Sequence, residues 1–381
     1  MLIRKAYKYR LKTNPETESL LSQFSGCSRL IWNKSLAINL ERLKNKHRIL
    51  YYNELAFWLT FWKKTDELSF LKDCHSQVLQ QSLKNLDKAF RDSFDKKQKN
   101  KRLPIFKKKG LRDSFRFPQG FKVENRRVYL PKIGWVSFYK SQEIQGKLKN
   151  ITVSRRGGHW FVSIQTEIEQ EIPKRELCSS VGVDRGVKHF AVLSNGEFLA
   201  PLNSFKKHAR ALKYHQKSLA RKVKGSKNCL KQKKRIAKKH IKIADARKDY
   251  LHKCSSKISK NHAIIILEDL KTANMTKSAR GSLESPGTRV KAKSGLNQAI
   301  LDQGWFEFSR QLEYKQKFSG GKLVLIDPKY TSQKCPQCGS ISKDNRKSQS
   351  KFVCKKCKYK NNADLTAALN ILAAGQCRCV A

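Results

Sequence analysis

Hydrophobic and polar positions change period several times along this 381-residue chain. Ile3, Tyr7, Tyr9 and Leu11 fall on one parity and Lys8 and Arg10 on the other, the period-2 signature of a half-buried strand over residues 2–12. A helix start follows. Asn14 is a capping residue, Pro15 presets φ at the first helical position, and Glu16 and Glu18 put negative charge at the positive end of the helix dipole. Leu20, Leu21, Phe24, Cys27, Ile31, Leu36 and Leu40 then recur at helical spacing. After a break come Leu55, Trp58, Phe61 and Trp62, and then a third helical run of Val78, Leu79, Leu83, Leu86, Phe90 and Phe94. These aromatics are expected to be the core of a small helical bundle rather than platforms for stacking bases.

Residues 96–110 break the pattern with a run of lysines around Pro104 and Phe106. Such a run is usually a solvated loop, but the apolar residues inside it suggest a basic edge that follows a phosphate backbone. Short strands come next around Phe115, Val128, Trp135, Ile151 and Trp160, with turn signals at Glu124-Asn125 and Gly157-Gly158. A strand, then helices, then more strands predicts a β-barrel with a helical bundle inserted after its first strand.

A different domain is expected to begin near Cys178. Ser180-Val181-Gly182-Val183-Asp184 is a short apolar strand that ends in an acid, followed by Phe190-Ala191-Val192-Leu193 and the turn Ser194-Asn195-Gly196. An RNase H-like fold presents its first metal-binding carboxylate in this way. Ile264, Ile265, Ile266 and Leu267 form a second apolar strand, and it stops on Glu268. A buried strand ends on an acid only where that acid is hydrogen-bonded, paired or bound to a cation. Between the two lie residues 204–261, free of proline and dense in lysine and arginine. The seven-residue spacing of Leu212 and Leu219, and of Ile236, Ile243 and Tyr250, is broken at Gly225-Ser226. It predicts two antiparallel helices with a thin apolar seam and a cationic exterior, the sign expected beside a nucleic-acid duplex. Residues 276–296 lack periodicity and read as a mobile lid or disordered loop.

Composition bears on what this chain meets. Lysine and arginine total 82 against 30 acidic residues, a net charge of +52 and a pI near 10.1, the electrostatic footprint of a polyphosphate partner. At 39% hydrophobic the chain can fill the cores of two or three domains. Eleven cysteines in a chain this long are no small secreted disulfide scaffold. No signal peptide opens the chain and no apolar run approaches the roughly 18 residues of a membrane span. A cytoplasmic, nucleoid-associated protein without a membrane partner is expected.

Four of the cysteines carry chemistry. Cys335 and Cys338, then Cys354 and Cys357, are two Cys-x-x-Cys pairs separated by residues 339–353, a spacing that lets four thiolates close a tetrahedral zinc site. Cys27, Cys74, Cys178, Cys229, Cys254, Cys377 and Cys379 are scattered and read as reduced thiols. Asp364 follows the second pair and opens an Ala-rich helix. Asp184, Glu268 and Asp364 thus stand at the ends of three elements. Brought together they repel unless cations bind between them, and two Mg²⁺ ions about 3.5–4 Å apart would activate water and stabilise the leaving 3′ oxygen of a phosphodiester. The plain alternatives are a salt bridge or cap for Glu268 and a helix cap for Asp364; Asp269 and Asp327 are neighbouring acids that could compete.

These residues carry a resemblance. Gly182-Val183-Asp184-Arg185-Gly186-Val187, Leu267-Glu268-Asp269-Leu270, Gln303-Gly304-Trp305-Phe306 with Tyr314-Lys315, Tyr330-Thr331-Ser332-Gln333-Lys334-Cys335, both cysteine pairs, and Asn362-Ala363-Asp364 through Asn370-Ile371 resemble the TnpB-type (OrfB) proteins of bacterial insertion sequences, relatives of the type V CRISPR nucleases. One departure is Thr366, where that family usually has Asn. The resemblance implies an α+β / α/β multidomain architecture. Residues 1–14 and 111–175 would be a wedge β-barrel and 15–110 an inserted helical recognition bundle. Residues 176–334 and 358–381 would be a RuvC-like RNase H domain, interrupted by a zinc module at 335–357. It further implies an RNA-guided DNA endonuclease that reads a short motif beside its target, with Asp184, Glu268 and Asp364 as the catalytic, magnesium-binding triad. Its partners would be a guide RNA from the transposon end and double-stranded target DNA. A protein-only transposase and a guide-dependent DNA binder without nuclease activity are the rival readings.

Overall fold

The computed structural model describes residues 1–98, 100–111, 113–173, 175 and 179–380, the last four by backbone alone. The domain start expected at Cys178 and the thiols of Cys377 and Cys379 lie outside the described residues and side chains. The chain divides into two units, Met1–Gln170 and Glu171–Ala381.

In the first unit, β1 (Leu2–Arg10) buries Ile3, Tyr7 and Tyr9 as its parity requires. Helix α1 (Pro15–Lys44) begins where predicted, with the Thr17 amide donating to the Asn14 side chain at 2.8 Å. Helices α2 (Tyr52–Trp62) and α3 (Ser76–Phe94) follow. Then come β2 (Ser114–Phe117), β3 (Lys122–Glu124), β4 (Arg127–Leu130), β5 (Gly134–Ser137), β6 (Lys147–Arg156) and β7 (His159–Glu169). Their ladders are antiparallel and form two sheets, β1-β7-β6-β2 and β3-β4-β5, joined by a single bridge between Leu11 and Phe138. The expected barrel is therefore not a closed ring of hydrogen bonds among the described residues. Strands β3 to β5 are three or four residues long and form their ladders with one another, with one further bond where the Lys12 amide donates to the Ser137 carbonyl at 2.7 Å. The β6–β7 turn uses Gly157 and Gly158 at φ 63° and 89°, the left-handed values that a tight hairpin demands.

Helices and sheets share one apolar core rather than two. Phe24 of α1 lies 5.6 Å from Phe115 and 6.1 Å from Phe117 of β2, measured between ring centroids. The expectation that the bundle aromatics are core needs correction: Trp62 and Phe90 are buried, but Trp58, Phe61 and Phe94 are 40%, 53% and 50% exposed. Helix α2 is apolar nearly all round, so its periodicity does not say which face is covered. The basic stretch near residue 105 is strapped to α1. Trp32 Nε1 donates to the Ile105 carbonyl at 3.1 Å, Asn33 pairs both ways with the Lys107 backbone at 2.8 and 3.0 Å, and the Lys107 ammonium stands 3.8 Å from the Trp32 ring centroid.

The second unit is built on β8 (Ser180–Asp184), β9 (Ala191–Leu193), β10 (Phe198–Leu199), β11 (Ile264–Glu268) and β12 (Lys322–Ile326). The strand order is β10-β9-β8-β11-β12, with β8, β11 and β12 parallel and β9 and β10 antiparallel. The helices are α4 (Ser204–Ala220), α5 (Lys227–Asn261), α6 (Thr272–Met275), α7 (Val290–Gln303), α8 (Trp305–Ser319) and α9 (Ala363–Val380), with a small hairpin of β13 (Lys351–Val353) and β14 (Lys360–Asn362) before the last. Strand β11 is buried on both faces and alternates between two clusters. Ile265 and Leu267 join Cys254 and Ile258 of α5 and Phe308 and Leu312 of α8, whereas Ile264 and Ile266 join Ile371 of α9. Helix α9 comes so close to β8 that a Cβ on Gly182 would stand 2.2 Å from the Ala368 carbonyl oxygen.

Helices α4 and α5 pack together with Leu212 and Ile243 buried in their seam, as the heptad spacing predicts. The loop expected over residues 276–296 is a correction: α7 starts at Val290, and the segment before it is tied down. Lys293 Nζ donates to the Met275 carbonyl at 2.7 Å, and Asn297 Nδ2 donates to the carbonyls of Thr276 and Lys277 at 3.0 and 3.1 Å. Only Ile300, Asp302 and Gln303 of this helix are buried, so it leaves little apolar period to read. Among the described residues no helix is long and apolar enough to cross a membrane.

Candidate active site and metal centre

The four predicted cysteine ligands come together. All four Sγ atoms lie within 4.8 Å of one another, and the Cys335–Cys357 and Cys338–Cys354 sulfurs are each 3.6 Å apart. A tetrahedron with metal–sulfur bonds of about 2.3 Å has edges of about 3.8 Å, so the donor set fits Zn²⁺. Each pair is a tight turn closed by a backbone bond back to its first cysteine. Gly339 donates to the Cys335 carbonyl at 3.0 Å and Lys358 to the Cys354 carbonyl at 3.1 Å, and both residues are left-handed, at φ 72° and 60°. The Cys354 thiol is pulled down to about 6, first by the Cys357 amide. Fully buried Asn345 ties the halves together, donating to the Gln333 and Ser340 carbonyls at 2.9 and 3.3 Å and accepting from the Lys355 amide at 2.9 Å.

Asp184 ends β8, Glu268 ends the neighbouring parallel strand β11, and Asp364 is the second residue of α9. Their charges meet. Burial pushes the Asp184 carboxyl up to about 7, with Glu268 and then Asp364 adding to the rise and Arg346 and Arg185 opposing it. Glu268 is raised by burial, against the Thr331 hydroxyl, which donates to its Oε1 at 2.6 Å, and the nearby Arg185. Asp364 accepts from Arg346 Nη2 at 3.0 Å. It is not the cap of its helix: Asn362 Oδ1 accepts the Asp364 and Leu365 amides at 2.9 and 3.2 Å, which leaves the acid free for Arg346. The Thr366 hydroxyl donates to the Asn362 carbonyl at 2.9 Å, so the helix start retains a side-chain contact there.

Arg185 locks the two strand ends together. Burial pulls it down to about 10, so it stays charged, and its guanidinium donates to the Glu268 carbonyl oxygen and to Ser309 Oγ, the latter at 2.7 Å. Unlike the sulfurs, the carboxylates do not close into a tight donor group, since Arg346 engages one and Thr331 another. The donors are all hard oxygens, the chemistry of a cation such as Mg²⁺ rather than of zinc. Asp269 and Asp327 are exposed and stand aside; the Asp327 carboxylate accepts the Lys329 amide at 3.0 Å. Arg185 and Thr331 stand in the motifs quoted from the sequence without a role, and Arg346 is not singled out there at all. Arg346 lies in the loop between the cysteine pairs, so only the folded zinc module brings it to Asp364.

Residues 163–279 match a family described as "Probable transposase", and residues 305–371 match a "Cas12f1-like, TNB domain". Residues 1–48 match a "Helix-turn-helix domain", although this stretch is β1 followed by the unbroken α1. The chain is 47% identical over 372 residues to the "Putative RNA-guided DNA endonuclease InsQ" of Escherichia coli, covering 97% of this chain and 92% of that one. It is 33% identical over 380 residues to a "Putative RNA-guided DNA endonuclease" of Streptomyces pristinaespiralis, covering 98% and 90%. In fold it is similar to the protein of a Cas12f1–sgRNA–target DNA complex solved by cryo-EM, with a TM-score of 0.55 at 15% identity over 97% of this chain and 98% of that one. By its similarity to the two bacterial relatives along nearly its whole length, the chain belongs to the OrfB probable-transposase family that includes InsQ.

Proposed function

We propose that the chain is the RNA-guided DNA endonuclease of a transposable element, hydrolysing target phosphodiesters at Asp184, Glu268 and Asp364. The observation that carries this reading is the convergence of three acids from distant segments, close enough that Glu268 and Asp364 add to the rise that burial gives the Asp184 carboxyl. On this reading the second unit is a RuvC-like RNase H domain with an inserted zinc ribbon, and the first unit combines the wedge strands with a recognition bundle. The five-stranded order with three parallel strands supports the first assignment. The net charge of +52 supports a guide RNA and a DNA duplex as partners.

Bound divalent cations, with Mg²⁺ the expected ion, would supply an activated water and stabilisation of the leaving 3′ oxygen. Asp184, Glu268 and Asp364 would hold them. Thr331 fixes the rotamer of Glu268, and Arg185 fixes the strand end that presents it. Arg346 offers a positive charge that is held beside Asp364 and is available to a scissile phosphate. The zinc site is structural: it shapes the loop that carries Arg346.

The test begins with RNA co-purified from the native locus, which identifies the guide and its target. Asp184→Ala is expected to abolish Mg²⁺-dependent cutting while leaving guide and target binding within about twofold. Cutting near the wild-type rate refutes the triad. Cutting without RNA, or joining of transposon ends, favours a protein-only transposase.

A further inference from the structure

The loop that supplies Thr331 contains a residue held at a conformational cost. Tyr330 has φ 64°, and it is the one aromatic residue among those described whose backbone is left-handed. That conformation crowds a Cβ against the backbone and is free of penalty only for glycine. The surrounding hydrogen bonds hold it there. The Gln333 and Lys334 amides both donate to the Tyr330 carbonyl at 3.0 Å. Asn370 of α9 donates to the carbonyls of Thr331 and Lys334 at 2.8 and 2.7 Å. The consequence is a split in direction between neighbours. Thr331 turns inward to Glu268, whereas Tyr330 is 47% exposed, with the Lys329 ammonium 5.1 Å from its ring centroid.

A strained backbone that holds a large ring out in water adds nothing to the core, and strain of this kind persists where a side chain is used. We propose that Tyr330 is a positioning residue, its ring stacking on a base beside the scissile phosphodiester, with Lys329 next to it to hold backbone phosphate. This rests on the nuclease reading of Asp184, Glu268 and Asp364. Stacking suits such a site because every base has a π face, so the contact orients the strand without competing with the guide over sequence.

The experiment uses the full-length, guide-loaded protein and a target whose cut position has been mapped. 2-Aminopurine is placed on either side of the cut, and its quenching is read for the wild type, Tyr330→Phe, Tyr330→Ala, Tyr330→Gly and Asp184→Ala. Quenching is expected to persist in the wild type, Tyr330→Phe and Asp184→Ala and to be lost in Tyr330→Ala and Tyr330→Gly. Single-turnover cutting by the last two should fall roughly 10- to 100-fold, with half-saturation by target unchanged within about twofold. Tyr330→Gly should also melt higher than Tyr330→Ala, which separates relief of strain from loss of the ring. Unchanged quenching and wild-type cutting by Tyr330→Gly overturn the proposal. If Asp184→Ala is dead in the same series, the triad stands and only the stacking role falls.

Discussion

A carboxyl group that gives up its proton only near pH 7, as Asp184 does, weakens the folded chain wherever its unfolded counterpart is already ionised. Its folded value lies near 7 and its reference value at 3.8, so between those limits the folded chain holds the extra proton. Stability from this group is therefore complete below about pH 4 and is lost as pH rises through about 7. Without added Mg²⁺, Asp184→Asn is expected to gain stability relative to the wild type from pH 5 to pH 7, by at most about 1.4 kcal/mol per pH unit. Parallel melting curves across that range would contradict the burial and crowding of this acid. Adding Mg²⁺ should flatten the difference, because the cation replaces the proton. At the second cysteine turn, Lys358 occupies the backbone region that Gly339 occupies at the first. Lys358→Gly should stabilise the zinc module by about 0.5–1 kcal/mol, read as slower zinc loss to a chelator. Asp184 and Glu268 stand out in the sequence because an apolar strand that stops on a carboxylate needs a reason, and Asp364 because it follows the second cysteine pair and opens an Ala-rich helix. Thr331 and Arg346 do not, because each reaches its acid from a loop with no periodicity, by a path set only in the folded chain.

On the proposed reading, the four-cysteine module is an element that holds a loop. Cys354→Ser removes one of four ligands, and zinc content should fall well below one per chain, with thermal melting lowered by several degrees. Unchanged melting would show that the fold does not depend on the site. Because the loop carries Arg346, cutting should fall together with zinc content, while Arg346→Ala should lose cutting and keep its zinc. Elements with a clear period, a cap or a continuous apolar run are legible in the sequence: β1 by parity, α1 by its cap, β8 and β11 as apolar strands. Helix α7 is not, since it buries little beyond Ile300 and is held by polar ties to the preceding segment. The barrel expectation had the strands right and their closure wrong, because alternation along a strand says which face is buried and nothing about which strand lies alongside.

At the scale of the whole molecule, charge dominates. Residues 204–261 alone contain 21 lysines and arginines against two aspartates, most of them exposed along α4 and α5. If this hairpin lies against phosphate, neutralising Lys233, Lys234 and Arg235 to Gln should weaken guide-RNA binding and reduce the slope of log affinity against log salt by about 2 to 3. An unchanged slope would assign those cations to solvent. Apolar cores and a division into two or three domains are foreseeable from composition. The sharing of one core between the helices and sheets of the first unit is not, since period alone does not say which buried faces meet. One feature of the second unit carries over into genetics. Helix α9 holds the third acid, covers one side of β8 and β11, and packs directly onto Gly182. A nonsense codon before position 364 therefore removes an acid and uncovers the sheet in one stroke, so truncation alleles should be nulls. On the proposed reading, a stable protein that occupies its target without cutting is expected from missense instead, at Asp184, Glu268, Asp364 or Arg346.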